Sequence, residues 1–207
     1  MTLKKIVIVA GLAGSFVTGA QAAGNTGNIE AGKTASESCA GCHGVDGNSA
    51  VGSFPKLAGQ GVPYLVKQIQ EIKNGARNVV EMTGLLNGLT DADINNIAAY
   101  YNSQVMSGGQ AKEALVEKGE ALYRIGNPAT SMAACGACHG PAGEGVALAK
   151  FPALAGQHAD YIATQLKKFR SGERSNDGDG RIMRSVAARI NDKEIEAVSS
   201  YISGLHK

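Results

Sequence analysis

Apolar side chains along this chain recur at the spacing of one helix face. Ile94, Ile97, Ala98 and Tyr101 share a face, as do Ile195, Val198 and Ile202. Each run opens on a capping signal, in which a short polar side chain accepts the amide three residues on. Thr90 with Asp93 and Asn191 with Glu194 are those pairs. Helices are also predicted over 29–38, 64–74, 112–125 and 161–171. Gly75 and Gly172 stand just beyond the second and fourth, where glycine suits a left-handed C-terminal cap. No run alternates apolar and polar residues over a strand's length. The pattern predicts an all-α fold.

Residues 1–23 follow another pattern. Lys4 and Lys5 precede an apolar stretch over 6–17, and Ala20-Gln21-Ala22 or the adjacent Ala23 supplies a small-residue cleavage site. A membrane anchor is the alternative, but a span needs about 20 apolar residues and this stretch is shorter. A cleaved export signal over 1–23 is expected, leaving a soluble protein outside the cytoplasm, in a bacterial periplasm.

The remainder is written twice. Cys39-Ala40-Gly41-Cys42-His43-Gly44 recurs as Cys135-Gly136-Ala137-Cys138-His139-Gly140, 96 residues later. Phe54-Pro55 and Leu57-Ala58-Gly59-Gln60 recur as Phe151-Pro152 and Leu154-Ala155-Gly156-Gln157, 97 apart. Tyr64, Gln68, Gly75 and Arg77 keep that offset with Tyr161, Gln165, Gly172 and Arg174. After an insertion of four, Met82, Asp91 and Tyr100 match Met183, Asp192 and Tyr201. Two copies of one small domain are expected, 24–107 and 108–207, joined near Ser107-Gly108-Gly109, where glycine frees the backbone.

Composition adds two points. Four Phe, six Tyr and no Trp are thin filling for two cores, so something other than side chains is expected to fill them. The net charge of +2 is too small for a general nucleic-acid binder. Residues 24–107 carry five basic and seven acidic groups and residues 108–207 thirteen and eleven. That weak dipole would orient a charged partner, although chance imbalance on solvated faces explains it as well.

The four cysteines sit in two short motifs, which leaves none to staple distant segments as a disulfide framework would. Structural zinc wants four ligands close together, and a thioredoxin-like motif wants a βαβ context. C-x-x-C-H is the attachment signature of c-type haem: two thiols one helical turn apart add to the porphyrin, and the adjacent histidine reaches the iron from one face. Two covalently bound haem c groups are therefore expected, on Cys39 and Cys42 and on Cys135 and Cys138, with His43 and His139 as iron ligands.

A thioether opposite histidine closes the iron and raises its potential. Met82 and Met183, 39 and 44 residues beyond their histidines and at matching places in the repeat, are the candidates. Met106 has no counterpart, and Met132 is tethered too near Cys135 to reach the opposite face. His158 and His206 are expected at the surface. A ligating imidazole usually donates its other N–H to a carbonyl. Pro55 and Pro152, 12 and 13 residues past the histidines, stand where they offer one.

The duplicated C-x-x-C-H, the F-P-x-L-A-G-Q segments and the two late methionines resemble cytochrome c4, over nearly all of 28–205. The resemblance implies two tandem class I cytochrome c domains facing each other, each wrapped around one haem, with propionates near their interface. It also implies a periplasmic electron carrier serving a terminal oxidase or reductase. His43 with Met82 and His139 with Met183 become the axial pairs. Gln60 and Gln157 fall near the propionates; Arg77 and Arg174 either neutralise propionates or remain solvated helix-end charges.

The implied partners are redox proteins: a membrane oxidase or reductase, and a donor such as a bc1-type complex or a small redox protein. Peripheral association with the membrane stays open, and no nucleic acid is involved. One competing reading is a small diheme enzyme, such as a sulfur-compound dehydrogenase, which would need an open iron position; another is the haem subunit of a larger dehydrogenase, taking electrons from a flavin chain. No catalytic acid–base pair has positional support.

Overall fold

A computed structural model describes residues 27–206; the expected export signal over 1–23 lies outside them. The described chain is helical, with isolated bridges at Asn127–Met132 and Val146–Phe151 in place of strands. The first half holds α1 (Ile29–Ala35), α2 (Ala40–His43), α3 (Val62–Lys73) and α4 (Asp91–Asn102). The second holds α5 (Val116–Arg124), α6 (Gly136–His139), α7 (Ala159–Ser171), α8 (Ile182–Ala187) and α9 (Asp192–Ser203). Among these helices none is long and apolar enough to cross a membrane.

In each half the first and last long helices cross, α1 on α4 and α5 on α9, and the middle one packs on the last. Glycine makes both crossings possible. A Cβ on Gly32 would lie 2.0 Å from the Asn96 carbonyl oxygen, and one on Gly119 2.4 Å from that of Ala197. Both last helices start with the expected capping box: Thr90 Oγ1 and Asn191 Oδ1 accept the amides of Asp93 and Glu194, whose carboxylates bind back to the cap amides. Gly172 takes the left-handed cap of α7, at φ 81°.

The halves fill their interiors differently. Beside the first cysteine the first half places Tyr101 from its last helix, near Ser36; the second places Tyr123 from its first helix, with Ile202 where Tyr101 stood. The large ring has changed helices, and the second pair is the bulkier, with isoleucine as its smaller member where the first has serine. The second half's buried cluster is extensive, from Leu122 through Met132 and Ile195 to Leu205. The first half's comprises Leu65, Ile97, Ala98, Tyr100 and Tyr101.

In the linker, Gly109 serves close approach to backbone, whereas Gly108 faces only the movable ring of exposed His206. A Cβ on Gly108 would lie 2.7 Å from the His206 ring, and one on Gly109 2.8 Å from the Ser203 carbonyl oxygen. Asn48 pins the linker further, donating to the Val105 carbonyl (2.9 Å) and accepting the Ser107 amide (2.7 Å).

Candidate haem sites

Each C-x-x-C-H motif forms a single helical turn, and the glycine after it turns the chain away: Gly44 has φ 80° and Gly140 φ 83°. Cys39 precedes α2, which carries Cys42 and His43; Cys135 precedes α6, which carries Cys138 and His139. The four thiols are unpaired. Burial pushes the Cys39 thiol up and that of Cys135 up to about 11.

His43 and His139 are buried, 8% and 6% exposed. His43 Nδ1 lies 2.9 Å from the Pro55 carbonyl oxygen, and His139 Nδ1 2.9 Å from that of Pro152. A carbonyl only accepts, so Nδ1 carries the proton and Nε2 keeps its lone pair. Burial lowers both imidazole pKa values, with the carbonyl bonds opposing, which holds the rings neutral. Phe54 and Phe151 stand beside the rings, at centroid distances of 6.5 and 6.2 Å. A buried neutral imidazole with a free Nε2, one residue from a pair of thiols a helical turn apart, is the donor set that haem c requires.

The two methionines lie in unlike segments. Met82 ends the 3₁₀ turn Val80–Met82, and Met183 is the second residue of α8, a helix the sequence pattern did not suggest. Both are half-buried. Met132 is core filling, 3% exposed. His206 is exposed, whereas His158 is half-buried, because its Nε2 reaches the Ser49 carbonyl of the other half at 2.8 Å. A surface position for His158 is thus corrected: it bridges the halves.

The glutamines and arginines line the seam between the halves. Gln60 Nε2 donates to the Ala153 carbonyl (3.0 Å) and its Oε1 accepts the Ala153 amide (2.8 Å). Gln157 does the same to Lys56, at 2.8 and 2.9 Å. Their polar ends are thus engaged with backbone. Arg77 donates to Gln68 of its own half (2.8 Å) and to the Tyr161 hydroxyl of the other (3.0 Å). Arg174, 9% exposed, mirrors it with Gln165 (2.8 Å) and Tyr64 (3.3 Å). Neither is a solvated helix-end charge. Burial works against ionisation of Tyr64, but the two guanidiniums outweigh it and hold the phenol below its ordinary range.

Lys56 was not singled out from sequence. It is 6% exposed, and its ammonium donates to the Ser107 (2.6 Å) and Gly156 (2.9 Å) carbonyls, with burial pushing its pKa down. The repeat itself held the signal for the rest of the seam, since Tyr64, Gln68 and Arg77 keep one common offset with their partners.

Comparison with known proteins agrees with this geometry. The family model for cytochrome c matches residues 29–104 and 116–206. Cytochrome c4 of Pseudomonas aeruginosa is 56% identical, over 87% of this chain and 90% of the relative. The crystal structure of reduced recombinant cytochrome c4 from Pseudomonas stutzeri superposes with a TM-score of 0.85 at 53% identity, covering 87% of this chain and all of that one. A thiosulfate dehydrogenase electron acceptor of Thiomonas intermedia is 39% identical over 80% of this chain and 77% of the relative. The chain belongs to the cytochrome c family, within its cytochrome c4 group of diheme electron carriers, and carries two covalently bound haem c groups.

Proposed function

We propose that the chain shuttles single electrons in the periplasm between respiratory donors and a terminal oxidase or reductase, transforming no substrate of its own. Its domains are 24–107 and 108–207. Cys39, Cys42, Cys135 and Cys138 are the thioether attachments, and His43 with Met82 and His139 with Met183 are the axial pairs. Bound haem supplies a one-electron couple whose potential a thioether ligand raises.

The chain's own residues hold and orient. Pro55 and Pro152 fix the imidazole rings and keep their protons on Nδ1, and burial keeps the rings neutral. The observation that carries the reading is this repetition: both halves build the same 2.9 Å histidine–proline contact beside the same thiol pair. Two histidine sites built alike suit a relay better than a single reaction centre.

The visible spectrum of the dithionite-reduced protein, before and after carbon monoxide, tests the proposal. An unchanged spectrum is expected, because both irons are closed. A shift would reveal an open iron and bring the enzyme reading forward. Met183→Ala should lower the potential of one haem and leave the other nearly unchanged; two unaltered potentials would remove Met183 from the ligand set.

A second reading, electron acceptor of a thiosulfate-oxidising enzyme, is favoured by the Thiomonas relative. Rapid reduction by such an enzyme with thiosulfate would support it. Reduction only by a quinol-oxidising complex would support the respiratory role.

A further inference from the structure

The four residues that lengthen the second half between its arginine and its methionine do two jobs at once. Asn176, 9% exposed, reaches into the first half, where its Nδ2 donates to Gln68 Oε1 (2.9 Å) and Glu71 Oε2 (2.7 Å). Its carbonyl accepts from Lys67 Nζ at 2.7 Å. The next residue, Asp177, turns the other way. Its side chain is 4% exposed, with Oδ1 accepting from Arg184 Nε (2.7 Å) and Oδ2 from the Arg184 amide (2.9 Å).

That amide is the third of α8, the donor that an N-cap side chain would satisfy. Arg181 at the cap makes no such bond and sits in the left-handed region at φ 47°, which a side chain adopts only at a cost. Asp177 therefore caps from outside the helix and holds the turn that carries Met183. Met82 has no equivalent. Among the described residues, segment 78–88 makes backbone hydrogen bonds only, such as Met82 N to Val79 O (3.0 Å) and Leu85 N to Met82 O (3.2 Å).

We propose that Asn176 and Asp177 are positioning residues that seat Met183 through the first half. The insertion anchors on α3 of one domain and caps the methionine-bearing turn of the other, so the second methionine is held more firmly than the first and loosens when the first half is disturbed. The inference rests on the proposed His/Met ligation. It requires no contact between Asp177 and the iron, and it assigns the two methionines different firmness although they match in the repeat.

The test follows the far-red charge-transfer band of methionine bound to ferric iron, in the oxidised holoprotein, through a thermal ramp. The band should disappear in two steps, the earlier absent in Met82→Ala and the later absent in Met183→Ala. Asp177→Ala should move the later step down towards the earlier one. Asn176→Ala and, from the other half, Glu71→Ala should move it the same way by less, with the Met82 step in place and far-ultraviolet circular dichroism at the starting temperature unchanged. An Asp177→Ala or Glu71→Ala protein whose Met183 step stays where it was would overturn the proposal. A Met183→Ala protein that keeps both steps would instead overturn the ligation on which it rests.

Discussion

Gln60 and Gln157 each grip the backbone of the opposite half, with the same two hydrogen bonds at positions 97 residues apart: Gln60 holds Ala153 and Gln157 holds Lys56. Each amide stands in for a rung of a β-ladder. One donor and one acceptor of the facing segment are satisfied in a buried place where no regular secondary structure pairs them.

Gln157→Ala strips the partners from the Lys56 backbone N–H and carbonyl. A buried backbone group left unpaired costs about 1–3 kcal/mol, so the holoprotein should unfold at clearly lower urea, and the halves should begin to unfold separately. Gln60→Ala should behave alike at Ala153. A midpoint equal to that of the parent for both variants would show that the clamps carry no stability.

Gly32 and Gly119 answer to a different constraint. A methyl group at either would meet a backbone carbonyl oxygen, at 2.0 and 2.4 Å, and backbone cannot step aside as a flexible side chain can. Gly32→Ala and Gly119→Ala are each expected to cost about 3 kcal/mol, the upper range for overpacking. Chemical denaturation of the two variants checks this, with Gly41→Ala, which would meet nothing within 4 Å, as the control.

Chain made without haem should fold poorly. The first half buries few large side chains of its own, whereas the second assembles a cluster running from Leu122 to Leu205. Circular dichroism of the haem-free chain should show little helix, and amide exchange should find the surviving protection in the second half. A fully helical apoprotein would contradict the account.

Acid sensitivity should depend on Asp177. Burial works against its carboxylate, but the bonds from Arg184 outweigh it and hold the pKa below the ordinary 3.8. Below that ordinary value the unfolded chain binds a proton that the folded chain refuses. The stabilisation is therefore present above it and lost as the pH falls through the folded pKa. Asp177→Asn should be less stable at neutral pH and should lose stability less steeply with acid, as urea titrations at several pH values would show.

Much of this molecule was legible as text. Helix-period apolar positions and the two polar cap pairs predicted the last helices, and both capping boxes formed. The C-x-x-C-H spacing and the prolines that follow predicted the paired imidazole geometry, because those constraints act over a dozen residues. The helix carrying Met183 was not legible. It is a short turn capped from Asp177, outside its own span, and it has no room for a periodic face.

By itself the sequence determined what is local or repeated: the helices, the two attachment motifs, the tautomer-setting carbonyls and the fact of duplication. Only the tertiary structure decided what the matched polar residues do. Gln60, Arg77, Tyr64 and their counterparts face the other copy, and Lys56, Asn176 and His158 join them there without any repeat to mark them. The reason is physical. A hydrogen bond between residues about a hundred positions apart depends on how two folded bodies meet, and that geometry is set by packing along the whole seam rather than by neighbours in the chain.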